Sequence, residues 1–153
     1  MKIFKLSFEK SVGAVIFRQE DGKRKYLLLH YPSGHWDFVK GHVEKDETEE
    51  ETMRREILEE AGIAKVEMIR GFKDRSKFFY RAKQLEKEKR LKNGDAINVF
   101  KRVVYYLAEV EQGEIRISFE HIDFGWFDYE QAYKKITYKN SRDILERADK
   151  FLS

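Results

Sequence analysis

The chain has 153 residues, and its 41% hydrophobic and 14% aromatic content is enough for one packed core, so we expect one domain over residues 1–153. Cysteine is absent, which excludes disulfides and thiolate-held zinc and leaves oxygen or imidazole ligands for any metal. The net charge is only +3, and no stretch approaches the length of a membrane span, so we expect a cytoplasmic protein without a membrane partner.

The first part of the chain predicts a β-hairpin followed by a helix. The apolar, β-branched run Ser11–Arg18 is typical of a buried strand, and Tyr26–His30, which follows a polar turn, predicts its neighbour. Trp36–Val39 predicts a further short strand. Glu49–Ala61 has a helical pattern, and Gly62 is suited to end that helix because it can adopt a left-handed conformation.

The second part of the chain predicts more strands and two closing helices. Strand patterns occur at Val66–Phe72, Val99–Val110, Ile115–Phe119 and Gly125–Phe127. The helices are predicted at Tyr129–Ile136 and Ser141–Leu152. The tract Arg81–Asp95 has few apolar residues and no alternation, which predicts an exposed loop or a short solvated helix. This order of elements favours an α/β (α+β) fold with a mixed β-sheet between helices.

Charge is distributed unevenly along the chain. Glu44–Glu60 holds nine acidic residues against three basic ones, whereas Arg70–Arg102 holds twelve basic residues against four acidic ones. An acidic helix beside a basic tract is suited to hold a metal ion and a polyanion together. Two solvated surfaces with no ligand would give the same pattern.

Three glutamates in the predicted helix share one surface. Glu56, Glu59 and Glu60 stand at positions i, i+3 and i+4, which places their carboxylates within an arc of about 100° on an α-helix. Such crowded like charges destabilise a helix unless a cation neutralises them. Mg²⁺ suits this arrangement, because it binds a few carboxylate oxygens, keeps several waters and accepts substrate phosphates as its remaining ligands. A glutamate-rich solvated helix face is the alternative.

The residues around these glutamates match a known motif. Gly41 is followed after five residues by Glu47, and after seven more by the run R-E-I-L-E-E-A-G-I, which covers residues 55–63. This pattern is identified as the Nudix box, and the chain resembles the Nudix hydrolases, which fold as an α/β/α sandwich. The resemblance implies that Glu56, Glu59 and Glu60 bind divalent ions together with the backbone carbonyl of Gly41. It also implies that Arg55 and Glu47 brace the preceding loop against the helix.

A second resemblance concerns the substrate. The segment W-D-F-V-K-G-H-V-E, residues 36–44, resembles the W-x-x-P-K-G-H-x-E segment of the asymmetric dinucleoside tetraphosphate hydrolases. The stretches S-V-G-A-V-I-F, Y-L-L-L-H and V-V-Y-Y-L-A-E-V, and the late residues Glu120, His121 and Trp126 with the following E-Q-A, resemble the same enzymes. Two departures are Val39, which replaces the usual proline, and the long basic insertion Arg81–Asp95.

Several residues outside the acidic helix are candidates for contact with a nucleotide. Basic side chains suited to phosphate oxygens are Lys40, His42, Lys101 and Arg102. Aromatic side chains suited to stacking on a base are Phe79, Tyr80 and Tyr138. Glu120 lies where these enzymes commonly have another acid near the metals, so Glu56, Glu60 and Glu120 are the alternatives for the general base.

The expected activity is Mg²⁺-dependent hydrolysis of a phosphoanhydride bond, with Mn²⁺ as a possible substitute and diadenosine tetraphosphate cut to ATP and AMP. The alternatives are removal of phosphate from 5′-triphosphorylated RNA, another Nudix substrate such as ADP-ribose or a dNTP, and a non-catalytic nucleotide-binding module. We expect a small-molecule nucleotide as the partner and a monomer or weak homodimer as the state of assembly.

Overall fold

The structure is a computed structural model that describes residues 5–111 and 123–153. In these residues the strands are β1 (Leu6–Glu20), β2 (Lys23–His30), β3 (Trp36–Asp37), β4 (Val39–His42), β5 (Glu67–Met68), β6 (Asp74–Arg81), β7 (Asn98–Glu109) and β8 (Asp123–Phe127). The helices are α1 (Glu49–Ala61), α2 (Gln84–Lys92), α3 (Tyr129–Lys135) and α4 (Lys139–Leu152). None of these helices is long and apolar enough to cross a membrane.

The strands form one mixed sheet around β1. Strand β1 runs parallel to β7, from the pair Leu6 and Asn98 to the pair Phe17 and Glu109. It also pairs antiparallel with β2 and β4, at different points along its length. On one side β2 continues the sheet through β3 and β8, and on the other side β7 pairs with β5 and β6. The predicted mixed sheet is therefore confirmed.

Helices cover both faces of this sheet. Successive side chains of β1 point to opposite faces, so Val12, Ala14 and Ile16 pack against α1, whereas Val15 and Phe17 pack against α3 and α4. The α1 side of the core is completed by Met53, Ile57 and Ala61 of the helix. The other side is completed by Ala132, Ile136, Ile144, Leu145 and Ala148. The molecule is thus an α/β/α sandwich, as the resemblance implied.

Both ends of α1 are fixed by local hydrogen bonds. The side chain of Thr48 accepts a hydrogen bond from the Glu51 backbone N–H at 3.1 Å, which caps the first turn. Gly62 has a φ of 70° and donates its N–H to the Leu58 carbonyl at 2.9 Å, as predicted for a left-handed helix end. The start and end of the acidic helix are therefore set by the sequence.

Several predicted elements need correction. The strand predicted at Val66–Phe72 shrinks to Glu67–Met68, and the strand Asp74–Arg81 was not predicted. Among the described residues β6 pairs only with β7. Its odd-numbered side chains are exposed, and three of these four are charged, with Phe79 as the exception, so the apolar alternation that marks a strand is weak. The segment predicted as one strand at Trp36–Val39 is divided between two strands, because Trp36–Asp37 is the whole of β3 and Val39 is the first residue of β4. The predicted strand Ile115–Phe119 lies outside the described residues.

The tract Arg81–Asp95 contains the helix α2, which was one of the two predicted alternatives. Its Arg90 forms an ion pair with Glu9 of β1. The arginine side chain is only 11% exposed, so this ion pair is largely shielded from solvent. Arg90 also contacts Glu86 of the same helix at 3.0 Å. These contacts hold α2 against the sheet at one end of β1.

The last helix is attached to the sheet by a polar cluster. The hydroxyl of Tyr26 on β2 donates to the Asp149 carboxylate on α4 at 2.5 Å, and Arg24 forms an ion pair with the same carboxylate at 3.1 Å. Burial, followed by the hydrogen bond to Asp149, raises the pKa of Tyr26 well above its ordinary value of 10. This cluster therefore depends on a protonated tyrosine.

Candidate active site

A cleft of ≈ 920 Å³ gathers most of the predicted site residues. Its acidic wall includes the whole predicted metal-binding set, Gly41, Glu56, Glu59 and Glu60. Its other walls include Lys40, His42, Lys101, Phe79, Tyr80 and Tyr138. The three glutamates are thus not scattered over the surface, since all of them border the same cavity.

The acidic helix touches β4 directly at Gly41. A Cβ added to Gly41 would lie 2.0 Å from the carboxyl carbon of Glu56, so only glycine leaves room for this carboxylate. Glu56 is 8% exposed, which places its charge at the edge of the core. The backbone of β4 and one carboxylate of α1 therefore form a close oxygen-rich cradle that a side chain would fill.

Arg55 connects the loop before α1 to the acidic residues of the helix. Its guanidinium donates to both carboxylate oxygens of Glu47, at 2.6 and 3.0 Å, and to the backbone carbonyl of His42 at 2.8 Å. It also reaches Glu56 at 2.8 Å and Glu59 at 3.1 Å. The contact expected between Arg55 and Glu47 is present, and it is bidentate, which fixes direction as well as distance.

Glu47 is held strongly in its ionised form. Its carboxylate accepts hydrogen bonds from Arg55, from the Thr52 hydroxyl at 2.7 Å and from the Glu44 backbone N–H at 3.1 Å. These bonds, with that to Arg55 as the largest cause, lower the pKa of Glu47 from 4.5 to about 2. The carboxylate therefore remains charged over the whole physiological range and keeps the loop attached to the helix.

The carboxylate of Glu60 contacts a tyrosine and not Arg55. The buried hydroxyl of Tyr31 contacts a Glu60 carboxylate oxygen at 3.1 Å and the Phe38 carbonyl at 2.8 Å. Burial and then the charge of Glu60 raise the pKa of Tyr31 well above its ordinary value, so the phenol stays protonated and acts as a donor. Glu60, which is 7% exposed, is thereby directed toward the cleft from the edge of the core.

The donor set suits a hard divalent cation. Carboxylate and carbonyl oxygens are the ligands that Mg²⁺ and related ions prefer, and Glu56, Glu60 and the Gly41 backbone supply them within one cradle. Among residues 5–111 and 123–153, however, no three acidic or histidine side chains converge into a complete metal-binding group. In this arrangement the guanidinium of Arg55 contacts two of the three carboxylates, those of Glu56 and Glu59.

The basic side chains that line the same cleft form its basic wall. The Lys40 amine donates to the fully buried carboxylate of Asp37 at 3.1 Å and lies 5.8 Å from the Phe78 ring. On β7, burial and then the nearby charge of Lys40 lower the pKa of Lys101. Nδ1 of His42 lies 3.5 Å from the Ser11 hydroxyl. Two cations therefore crowd one wall of the cleft, where an anion would relieve their repulsion.

The aromatic candidates occupy different places around the cleft. Tyr80 donates its hydroxyl to Glu86 of α2 at 2.9 Å, and Tyr138 packs against the His35 ring at 5.4 Å between centroids. Phe79 is 63% exposed and lies in register with Phe100, on the sheet face opposite to that of Phe78. All three side chains border the cavity, and Phe79 is an exposed one among them.

Two of the predicted site residues that the structure describes, Glu47 and Arg102, do not line the cleft. Arg102 is in register with Lys77, one residue beyond Lys101, so its side chain points to the other face of the sheet and does not line the cavity. The structure therefore does not bring Arg102 to this cleft, and its contact with a phosphate stays a prediction. Glu120 lies outside the described residues, so its predicted role as metal ligand or base stays a prediction.

Other residues that line or support the cleft were not predicted as site residues. They include Tyr31, His35, Asp37 and Glu86. Tyr31, His35 and Asp37 all lie in the stretch between β2 and β4, shortly before Gly41 in the sequence. Their nearness to the motif along the chain could have indicated a place in the site. Glu86 gave no such signal, because α2 is distant from the motif in sequence and its position beside the cavity depends on tertiary contacts such as the ion pair of Arg90 with Glu9 of β1.

A sandwich of this kind, with an acidic helix opening on a cavity with basic walls, belongs to a class of domains that act on phosphorylated ligands. A model of the NUDIX domain matches residues 7–148, and the chain belongs to the NUDIX family of hydrolases. Hydrolases of this family use divalent metal ions. This assignment agrees with the metal-suited cradle described above.

Within the family, the chain is similar to asymmetrical bis(5′-nucleosyl)-tetraphosphatases. It is 32% identical to the enzyme of Caenorhabditis elegans over 147 residues, which cover 94% of this chain and 96% of that protein. It is also 32% identical to the enzyme of Sus scrofa over 155 residues, covering 94% and 95% of the two chains. The crystal structure of a binary complex of the C. elegans Ap4A hydrolase matches with a TM-score of 0.75 over 94% of this chain and 97% of that one.

Proposed function

We propose that this chain is a magnesium-dependent asymmetrical hydrolase of diadenosine tetraphosphate, which it converts to ATP and AMP. The observation that carries this proposal is the shared cleft, which Glu56, Glu59 and Glu60 line together with Lys40 and Lys101. A cleft with both acidic and basic side chains matches a substrate that binds as a polyphosphate complexed with divalent cations. The similarity to tetraphosphatases along nearly the whole chain supports the choice of substrate.

The acidic wall would hold the metal. Glu56 and the Gly41 carbonyl form the inner part of the site, and Glu59 and Glu60 complete it from the same helix face. Magnesium bound there would polarise phosphate oxygens and lower the pKa of a water molecule, and manganese has the same ligand preferences. Arg55 keeps Glu56 and Glu59 in place, and its bond to Glu47 fixes the guanidinium itself.

The basic wall would bind the phosphate chain. Lys40 directly precedes Gly41 and His42 directly follows it, so both lie next to the metal-binding backbone. Lys101 approaches from β7, and a bound phosphate would offset the mutual repulsion of the two lysines. The polyphosphate would therefore lie between the acidic helix and the sheet, with its negative charge shared between metal and lysine.

The nucleoside ends would occupy the outer parts of the cleft. Tyr80 and Tyr138 border the cavity and offer flat surfaces for a purine, and Phe79 extends the rim. The residue that accepts the proton of the attacking water would be Glu56, Glu60 or Glu120. Of these, Glu56 and Glu60 are described, and both are directed into the cleft from the edge of the core.

The test is a comparison of substrates with the purified protein. Diadenosine tetraphosphate, ADP-ribose, dNTPs and 5′-triphosphorylated RNA are incubated separately with Mg²⁺, with Mn²⁺ and with a chelator, and the products are separated by chromatography. The proposal expects ATP and AMP in equal amounts from diadenosine tetraphosphate, with the highest kcat/KM of the four, and no product under chelation. Two molecules of ADP as product, activity that persists under chelation, or faster turnover of RNA would each overturn it.

A further inference from the structure

Asp37 is a buried carboxylate in direct contact with a cleft residue. It ends β3, and it is fully buried. One of its oxygens accepts the backbone N–H of Phe38 at 2.8 Å, and the other accepts the Lys40 amine at 3.1 Å. The lysine, in contrast, is 18% exposed and lines the cavity. The pair thus joins the core of the protein to the basic wall of the cleft.

A buried carboxylate is costly unless a cation and hydrogen bonds compensate it. Asp37 obtains both within three residues of sequence, and it is fully buried and not among the residues that line the cavity. It is therefore not a candidate for contact with the substrate itself. What it does is restrict Lys40, a long side chain that would otherwise lose considerable conformational freedom when it binds an anion.

The surroundings of Lys40 make this restriction useful. The positive charge of Lys101 is close enough to interact unfavourably with that of Lys40, and the Phe78 ring lies on another side at 5.8 Å. Without a negative partner, the two ammonium groups would be expected to move apart toward solvent. The carboxylate of Asp37 is the group that the structure places in contact with Lys40.

We propose that Asp37 is a positioning residue that holds the Lys40 amine at the wall of the cleft, so that it is ready to contact a substrate phosphate. This inference rests on the proposed function, because it assigns Lys40 to phosphate binding. Asp37 would thus increase the affinity for the substrate without touching it, because it holds Lys40 in the position that binds phosphate. The effect should appear in KM and leave kcat nearly unchanged.

The experiment is a double-mutant cycle of Asp37→Asn and Lys40→Gln. KM and kcat are measured with diadenosine tetraphosphate, and the affinity for inorganic tripolyphosphate is measured by calorimetry. Since a hydrogen bond to a charged group commonly changes an equilibrium by about tenfold, we expect Asp37→Asn to raise KM about tenfold with kcat within about twofold. In the Lys40→Gln background, Asp37→Asn should have no further effect on KM or on tripolyphosphate affinity.

Asp143→Asn is the matched control. The carboxylate of Asp143 also pairs with a lysine amine, that of Lys139 at 3.1 Å, but this pair lies on the surface of α4. This variant should leave KM and affinity unchanged. Thermal unfolding checks that each variant is folded at the assay temperature. If Asp37→Asn is not folded, Asp37→Ser takes its place, because serine can still accept the Phe38 N–H but carries no charge.

Two results would overturn the inference. One is an unchanged KM and tripolyphosphate affinity in a folded Asp37 variant. The other is an effect of equal size with and without Lys40, which would mean that Asp37 acts on the fold and not through this lysine. Failure of the proposed function looks different, because the wild-type protein would then not produce ATP and AMP, whereas the tripolyphosphate cycle would still measure the coupling between the two residues.

Discussion

The backbone of Gly41 and the carboxylate of Glu56 are in such close contact that a Cβ at position 41 would lie 2.0 Å from the carboxyl carbon. Gly41 is not among the glycines with a positive φ, so the requirement for glycine is steric and not conformational. The close approach sets the distance between β4 and α1 at the point where the oxygen ligands meet. One methyl group is therefore enough to disturb the proposed metal site.

Gly41→Ala should lower turnover of diadenosine tetraphosphate by about a hundredfold, because a displacement of about 1 Å in a catalytic group has effects of that order. Steady-state kinetics at saturating Mg²⁺ measures it. Gly22→Ala is the control, since Gly22 has a φ of +77° but no atom within 4 Å of the added Cβ. It should lower stability and keep turnover. Equal turnover in Gly41→Ala and wild type would contradict the steric role.

Glu60→Gln removes one charge from the proposed metal site and keeps the shape of the side chain. We expect turnover to fall by a hundredfold or more, since the loss of one preorganised electrostatic group has that effect in other hydrolases. The amide oxygen can still accept the Tyr31 hydroxyl, so the fold should be retained. Glu50→Gln is the control on the same helix, because Glu50 pairs with Arg54 and Arg70 away from the cleft. Near-normal turnover in Glu60→Gln would exclude this assignment.

The acidic helix and its end at Gly62 could be predicted from the sequence because their determinants are local. The three glutamates and Gly62 lie within seven residues of one another, and helix geometry converts the glutamate spacing into a common face. The same holds for the bond between Glu47 and Arg55, which spans eight residues. Interactions of this range depend little on the rest of the fold.

The far side of the cleft could not be predicted in the same way. Strand β6 carries charged residues on its exposed side, so the strand signal is masked. Phe79 and Tyr80 point to opposite faces only because this segment is a strand, and the sequence pattern did not predict that strand. The register of β6 with β7 separates Lys101 from Arg102, which sequence reasoning treated alike. A contact such as that of Glu86 with Tyr80 depends on where α2 packs, and no local pattern encodes it.

Glu47 makes stability depend on pH in a direction that can be worked out. Its pKa is about 2 in the folded protein and 4.5 ordinarily, because its charged form accepts hydrogen bonds from Arg55 and Thr52. The stabilisation is present above about pH 5 and is lost as pH falls toward 2. Urea unfolding between pH 7 and pH 3 should therefore show that wild type is more stable than Glu47→Gln at pH 7, and that the difference shrinks as the pH falls. A difference that stays constant over this range would show that the carboxylate charge is not responsible.

Tyr26→Phe tests the attachment of α4 to the sheet without touching the cleft. The variant loses the hydrogen bond to Asp149, while Arg24 still pairs with that carboxylate, so we expect a loss of about 1.5 kcal/mol in the free energy of unfolding. The raised pKa of Tyr26 adds a second expectation. Its stabilisation is complete below pH 10 and declines above it, because the tyrosine then ionises in the unfolded chain before it ionises in the folded one.

Chemical unfolding of wild type and Tyr26→Phe at pH 8 and at pH 10.5 checks both expectations. The stability difference should be smaller at the higher pH, and kcat and KM at pH 8 should match those of wild type, because Tyr26 packs on the side of the sheet that faces α4 and does not line the cavity. A stability difference that grows above pH 10 would mean that the ionised tyrosine is better accommodated in the folded protein. Burial and the adjacent Asp149 carboxylate both oppose that outcome.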